Sequence, residues 1–146
     1  MDRRDPVWIV VADARLARLM CCPDPQEQRR LQTVDELHEQ WDEKEHHRPQ
    51  PLGARDGHAY AAYPREDEER LHRHAKRLEQ WLGRHRQQQH HAGGRWTLVA
   101  PPRLLGELRQ TRGAGGVDQM KQVEAQLTDL SPTQLAQHPA LAEVLR

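Results

Sequence analysis

The sequence predicts an α/β fold, a mixed β-sheet with flanking helices, and three observations carry that expectation. "VWIVVAD" (Val7 to Asp13) is a short apolar run rich in β-branched residues, bounded by Pro6 and Asp13, which is the pattern of a buried strand. "REDEERLHRHAKRLEQWLGRHR" places Leu71, Ala75, Leu78 and Leu82 on one helical face, as an amphipathic helix requires. "RWTLVAPPRLLGELRQTRGAGG" runs from an apolar stretch through a proline pair into a helical pattern that stops at glycines, a strand-to-helix crossover.

The remaining elements follow in chain order. "ARLMCC" (Ala17 to Cys22) ends at "PDP"; proline cannot continue a ladder, so this segment pairs with the first strand through a tight turn near Ala14 and Arg15. "RLQTVDELHEQW" reads two ways: Leu31, Val34, His38 and Trp41 have helical spacing, whereas Leu31, Thr33, Asp35 and Leu37 alternate as a strand. Helix is slightly favoured on spacing alone. A long polar loop, "HHRPQPLGARDGHAY" within residues 42–60, has no apolar period to bury. In the helix over 65–86, acidic residues crowd the first turns and Arg84 and Arg86 close the last, as the macrodipole favours. Trp81, His74 and His85 border its two faces. "KQVEAQLTDLSPTQLAQHP" alternates Val123, Ala125 and Leu127 as a strand, after which Ser131 caps a helix begun by Pro132.

Bulk properties narrow the class. At 146 residues the chain suits one domain spanning 1–146. A hydrophobic fraction of 36%, no Phe and a mean hydropathy of -1.02 imply a thin core: Trp8, Ile9, Val10, Val11, Leu19, Leu71, Leu78, Leu82, Leu98, Val99, Leu105 and Leu127. Lys plus Arg and Asp plus Glu number 22 each, so net charge gives no case for a general polyanion binder. No apolar run reaches the ~20 residues of a membrane span, and no cleavage-site pattern follows the N-terminus, which points to a cytoplasmic protein. Cys21 and Cys22 are adjacent and point to opposite faces of a strand; they are expected to be reduced, one buried and one exposed.

Several stretches together resemble a known family. "WIVVADARLARLM", "GHAY", "WTLVAPPRLLGELR" and "LTDLSPTQL" are similar to segments of the bacterial host-attachment protein family, with "LVAPPRLLGELR" the most telling. That family in turn resembles the middle domain of class 1 release factors of eukaryotes and archaea and of the ribosome-rescue factor pelota. The resemblance implies a ribonuclease H-like sheet: a strand ending in Asp, two more strands, a long loop, a long helix and another strand. It also implies that Leu31 to Leu37 is a strand. The loop over 42–60 stands where release factors carry a Gly-Gly-Gln tip, and this chain has no such tripeptide there; Gly93 and Gly94 are followed by Arg95. Peptidyl-tRNA hydrolysis is therefore not implied. Where its own family tends to have an Asp-Arg-Pro-Gly-Arg-like stretch, this chain has "HHRPQPLGAR".

Candidate sites are weighed against simpler roles. His46, His47, His58, His90 and His91 lack the HExxH pattern and any structural-zinc spacing, so they read as solvated polar residues and no metal or cofactor is expected. Asp13 at the end of a central strand and His58 are the weak catalytic candidates, with Asp129 and Ser131 behind them; Asp13 is equally a turn former, and Ser131 an N-cap. Basic residues make the stronger case. Arg70, Arg73, Arg77 and Arg84 form a narrow helical stripe, and with Arg48, Arg55 and Arg103 they are placed to contact phosphates while Trp41 or Tyr60 stacks on a base. Exposed faces on Trp81 and Trp96 would suit a homodimer. The leading expectation is a non-catalytic binding module for ribosome or tRNA. Its rivals are an interaction protein with a protein partner in attachment to host cells, and a hydrolase in which Asp13 and His58 meet in a pocket.

Overall fold

β1 (Val7–Ala12) is buried at all six positions, because both faces of the sheet are covered at its centre. Trp8, Val10 and Ala12 pack on one side and Val7, Ile9 and Val11 on the other, the alternation that a period of two imposes. The computed structural model describes residues 5–26, 28–39, 58–89, 94–111 and 116–145, and of residues 58–67 and 89 the backbone alone.

Around β1 stand β2 (Leu16–Cys22), β3 (Gln32–His38), β4 (Arg95–Ala100) and β5 (Lys121–Glu124) in the order β3-β2-β1-β4-β5. β2 is antiparallel to β1 and β3, and the β1–β4 and β4–β5 pairings are parallel. The expected hairpin is present, its turn at Asp13 to Leu16. The fold is α/β, a five-stranded mixed sheet flanked by helices. α1 (His58–Gln89) leads from β3 to β4, and α2 (Pro102–Thr111) leads from β4 to β5. Both helices cover the Trp8 face with Leu71, Ala75, Leu78, Leu82, Leu104, Leu105 and Leu108. On the opposite face α3 (Pro132–Ala136) supplies Leu135, a 3-10 turn (Pro139–Leu141) supplies Leu141, and the residues after it supply Val144 and Leu145. All twelve residues expected in the core are buried.

Residues 32–38 form the strand adopted from the family resemblance over the helix that spacing alone favours: Asp35 and Leu37 fall on the side facing α1 while Glu36 and His38 stay exposed. Three other expectations are corrected. α1 begins at His58, seven residues earlier than its apolar period suggested, so the loop assigned to 42–60 cannot extend to Tyr60. Ala59, Ala61 and Ala62 favour that extension. The early start leaves no acidic residue in the first turn of α1, so the acidic run Glu66 to Glu69 is not a dipole cap; Arg86 alone supplies a cation to the last turn. β5 ends at Glu124 instead of reaching Leu127: its partner β4 stops at Ala100, before Pro101 and Pro102, and the last ladder contact is Ala125 N–H to Ala100 O at 3.1 Å.

Both cysteines are buried, correcting the exposed assignment for one of them. Cys21 points to the helix-covered face and Cys22 to the other, as neighbours on a strand must. Burial lifts the Cys21 thiol to about 11, with Cys22 beside it adding to the rise. Trp81 is also buried, and Trp96 is half-buried, stacked on Trp8 with ring centroids 5.4 Å apart. These rings therefore complete the core and do not offer the exposed aromatic face on which self-association was expected. The cap at Ser131 matches expectation: its Oγ accepts from Gln134 N–H at 3.2 Å, and Gln134 Oε1 accepts from Ser131 N–H at 2.9 Å. Among the described residues no helix is long and apolar enough to cross a membrane.

Candidate functional site

Asp13 stands where β1 delivers it, at the carboxyl end of the central strand, and both of its carboxylate oxygens are engaged. Oδ1 accepts from Arg15 N–H at 2.8 Å and Leu16 N–H at 2.9 Å, and Oδ2 accepts from the buried Thr128 hydroxyl at 2.7 Å. The same junction is tied by Arg18, whose guanidinium donates to Leu130 O at 2.6 Å and Thr128 O at 3.3 Å. Asp13 thus closes the hairpin turn and pins it to the segment after β5, a structural role. The side chain of His58, the partner proposed for it, lies outside the described residues, as do Trp41, Tyr60, Arg48, Arg55 and the histidines at 46, 47, 90 and 91. Asp129 is exposed, and Ser131 is the cap already described. Among the described residues no cluster of three or more His, Cys, Asp or Glu side chains is arranged to hold a metal.

The arginine stripe is present on α1, yet it does not face solvent as a uniform cationic strip. Arg73, Arg77 and Arg84 are exposed, Arg70 is half-buried, and Arg103 is exposed on α2. Arg77 donates to Glu39 at 2.7 Å. Arg73 borders a shallow depression of about 470 Å³ between α1 and α2, together with Glu68, Glu69, His72, Glu107 and Gln110. Across this depression His72 Nδ1 lies 3.0 Å from Glu107 Oε1, joining the two helices. Arg103, Glu107 and Gln110 recur at helical spacing along α2, so the arginine continues the same row. Cations and carboxylates interleave over the whole face.

A second polar seam holds β3 against α1. Asp35 Oδ2 accepts from Trp81 Nε1–H at 3.0 Å and pairs with His85 Nε2 at 2.8 Å. Four residues on, Glu39 pairs through Oε2 with His74 Nδ1 at 2.9 Å and through Oε1 with Arg77. Burial alone would raise the Asp35 carboxyl, but hydrogen bonds from His85, Trp81 and the Glu36 amide outweigh it and hold the group below its ordinary value. His74, expected at the border of α1, is fully buried. The seam resembles a catalytic carboxylate–histidine pair in chemistry only: the His74 ring has no solvent access for a substrate to use.

The sequence reading did not single out Asp35, Glu39 and Glu107, the carboxylates that bond side chains of α1. Asp35 and Glu39 did carry a signal, since with Leu37 they share the inward face of an alternating strand. Glu107 carried none, because its partner His72 is 35 residues away.

A family model described as "Protein required for attachment to host cells" matches residues 8–138. No curated protein matches the chain.

Proposed function

The chain belongs to the family of proteins required for attachment to host cells, and on that premise we propose that it is a non-catalytic interaction module that docks a protein partner on its α1–α2 face. The interleaved charge of that face carries the reading. A polyphosphate laid across it would meet Glu68, Glu69 and Glu107 beside Arg73, and each carboxylate repels it. A protein surface with its own paired charges can complement all of these, and such complementarity sets partner choice. The closed hydrogen-bond set of Asp13 supports the non-catalytic part. A cytoplasmic place, expected from the sequence, makes the part in attachment an indirect one.

The test is complementation of cells lacking the protein with the wild type or with Arg73→Glu/Arg77→Glu, scoring attachment to host cells alongside sedimentation of the tagged protein with ribosomes. Attachment is expected to fall at least several-fold in the variant, with the wild type absent from ribosomal fractions even at low salt. Unchanged attachment with a normally folded variant would refute the docking face.

A second reading assigns the same arginines, with Arg48, Arg55, Arg70, Arg84 and Arg103, to ribosome or tRNA. One observation favours it: the order of three strands, a long helix and a fourth strand is the order implied by the ribonuclease H-like middle domain of release factors. That reading expects ribosome co-sedimentation that declines steeply as salt rises and is weakened by the double variant.

A further inference from the structure

We propose that the partner protein docks through a basic α-helix, which crosses α2 at Gly106 and reaches a lysine or arginine into the depression beside it; this rests on the α1–α2 reading above. Gly106 lies in the middle of α2. At ~100° per residue it stands on the side opposite the buried Leu104 and Leu108, between the exposed Arg103 and Gln110. It therefore marks the outward crest of the helix.

Nothing among the described residues accounts for glycine at that position. Positive φ occurs at Gly94 and Gly116 and not at Gly106, so the backbone there is one that alanine adopts more readily. A Cβ at Gly106 would meet no atom within 4 Å, so no neighbour needs the space. Glycine destabilises a helix interior more than any residue but proline, and here the fold gains no packing in exchange. What a bare backbone supplies on a convex crest is close approach. Side chains at a crossing hold two helix axes ~8–10 Å apart, and glycine removes that spacer from one of them.

Two features make the occupant a cationic helix. A helix satisfies its own backbone N–H and C=O groups, as α2 does, so the two can press together without stranding a polar group. An extended segment laid on a helix would lose water from groups that find no partner there. The second feature is charge. The depression of about 470 Å³ adjoins the crest through Glu107 and Gln110, and three carboxylates line it, Glu68, Glu69 and Glu107, to one arginine, Arg73. Glu68 and Glu69 are exposed, and His72 is held by Glu107 at 3.0 Å. A lysine or arginine is drawn into such a rim and a phosphate is repelled, while Arg73 gives one acidic residue of the same helix a partner that fixes its direction.

The experiment is complementation with Gly106→Ala and Gly106→Leu, scored for attachment to host cells, beside thermal unfolding of the purified variants. Alanine is expected to raise the melting temperature by roughly 1–5 °C and yet lower attachment several-fold. Leucine is expected to lower attachment at least tenfold with a melting temperature no lower than that of the wild type. Glu68→Lys/Glu69→Lys is expected to lower attachment several-fold; an RNA seated on the same face would instead bind this variant more tightly and carry it into ribosomal fractions at low salt. A photo-reactive benzophenone side chain in place of Arg103 or Gln110 is expected to cross-link, in the complemented cells, to one helical segment of a protein rich in lysine or arginine, and the adduct is expected to vanish when Gly106→Leu is added. Wild-type attachment by Gly106→Leu, adducts on RNA or on an extended segment, no adduct at all, or ribosomal sedimentation gained by Glu68→Lys/Glu69→Lys would overturn the proposal. Wild-type attachment by Gly106→Leu with loss in Arg73→Glu/Arg77→Glu removes the helix and leaves the docking face standing; wild-type attachment by both removes the face as well.

Discussion

The two ends of the parallel strands are built on opposite principles. At the carboxyl end of β1, Asp13 has both carboxylate oxygens bonded, to the turn amides and to Thr128. At the amino ends of β4 and β5 lies a recess of about 350 Å³ lined by Arg86, Arg95, Lys121 and Glu143 among others, with Arg86 bonded to Gly116 O and Lys121 3.8 Å from Glu143. Open α/β sheets usually bind ligands beyond the carboxyl ends of their strands. Here the carboxyl end of β1 is closed by its own hydrogen bonds, and the recess lies at the other end. Position on a strand raises a candidate, but whether its hydrogen bonds are already made decides what it is free to do.

The comparison can be broken from either end. The largest effect is expected at Gly94, where alanine forces a side chain into positive φ and against Pro6 O and Trp8; a loss of ~2–4 kcal/mol combines backbone strain with overpacking, and urea unfolding would measure it. Tolerance of alanine there would mean the recess wall is slack and not built. Asp13→Ala comes next, at about 2 kcal/mol, since it strands two turn amides and the buried Thr128 hydroxyl. Thr128→Val removes one of those bonds in an isosteric way and should cost ~1 kcal/mol by the same assay. If Thr128→Val cost more than Asp13→Ala, the turn would not be what Asp13 holds.

The smallest expected effect concerns acid. Asp35 has a carboxyl held below its ordinary 3.8 in the folded chain, so its contribution is complete above that value and is lost as pH falls through the depressed folded value. Asp35→Asn should therefore flatten the acid limb of the stability curve below about pH 4, by less than ~1 kcal/mol because the side chain is 45% exposed and screened. Thermal unfolding across pH 2 to 7, roughly the carboxylate titration range, reads the difference. An acid limb identical to the wild type would show that the seam's stability does not depend on the Asp35 charge.

Much of the architecture was legible because it is written in short periods. The β-branched run at β1, the four apolar positions of α1 and the proline and glycine bounds of α2 each carry a local signal. β3 was ambiguous because its residues fit both periods, and packing resolved it by turning Asp35 and Leu37 toward α1. The recess and the docking face were harder to see for the same physical reason. Arg86, Arg95 and Lys121, which line the recess, come from a helix end and two strand starts, so no spacing links them. The arginine stripe was visible, but the carboxylates beside it come from β3 and α2, and only the folded chain shows that Arg77 is already paired with Glu39.

Asp13→Asn tests most directly whether this protein works by binding, since asparagine can still accept from the turn amides but cannot act as a carboxylate base. Attachment to host cells and the melting temperature should be measured on the same complemented strain and its purified protein. Attachment is expected to stay within about twofold of the wild type wherever the variant is folded, a span worth ~0.4 kcal/mol. Loss of attachment by a folded Asp13→Asn protein would contradict the account and return Asp13 to the chemistry of a catalytic site.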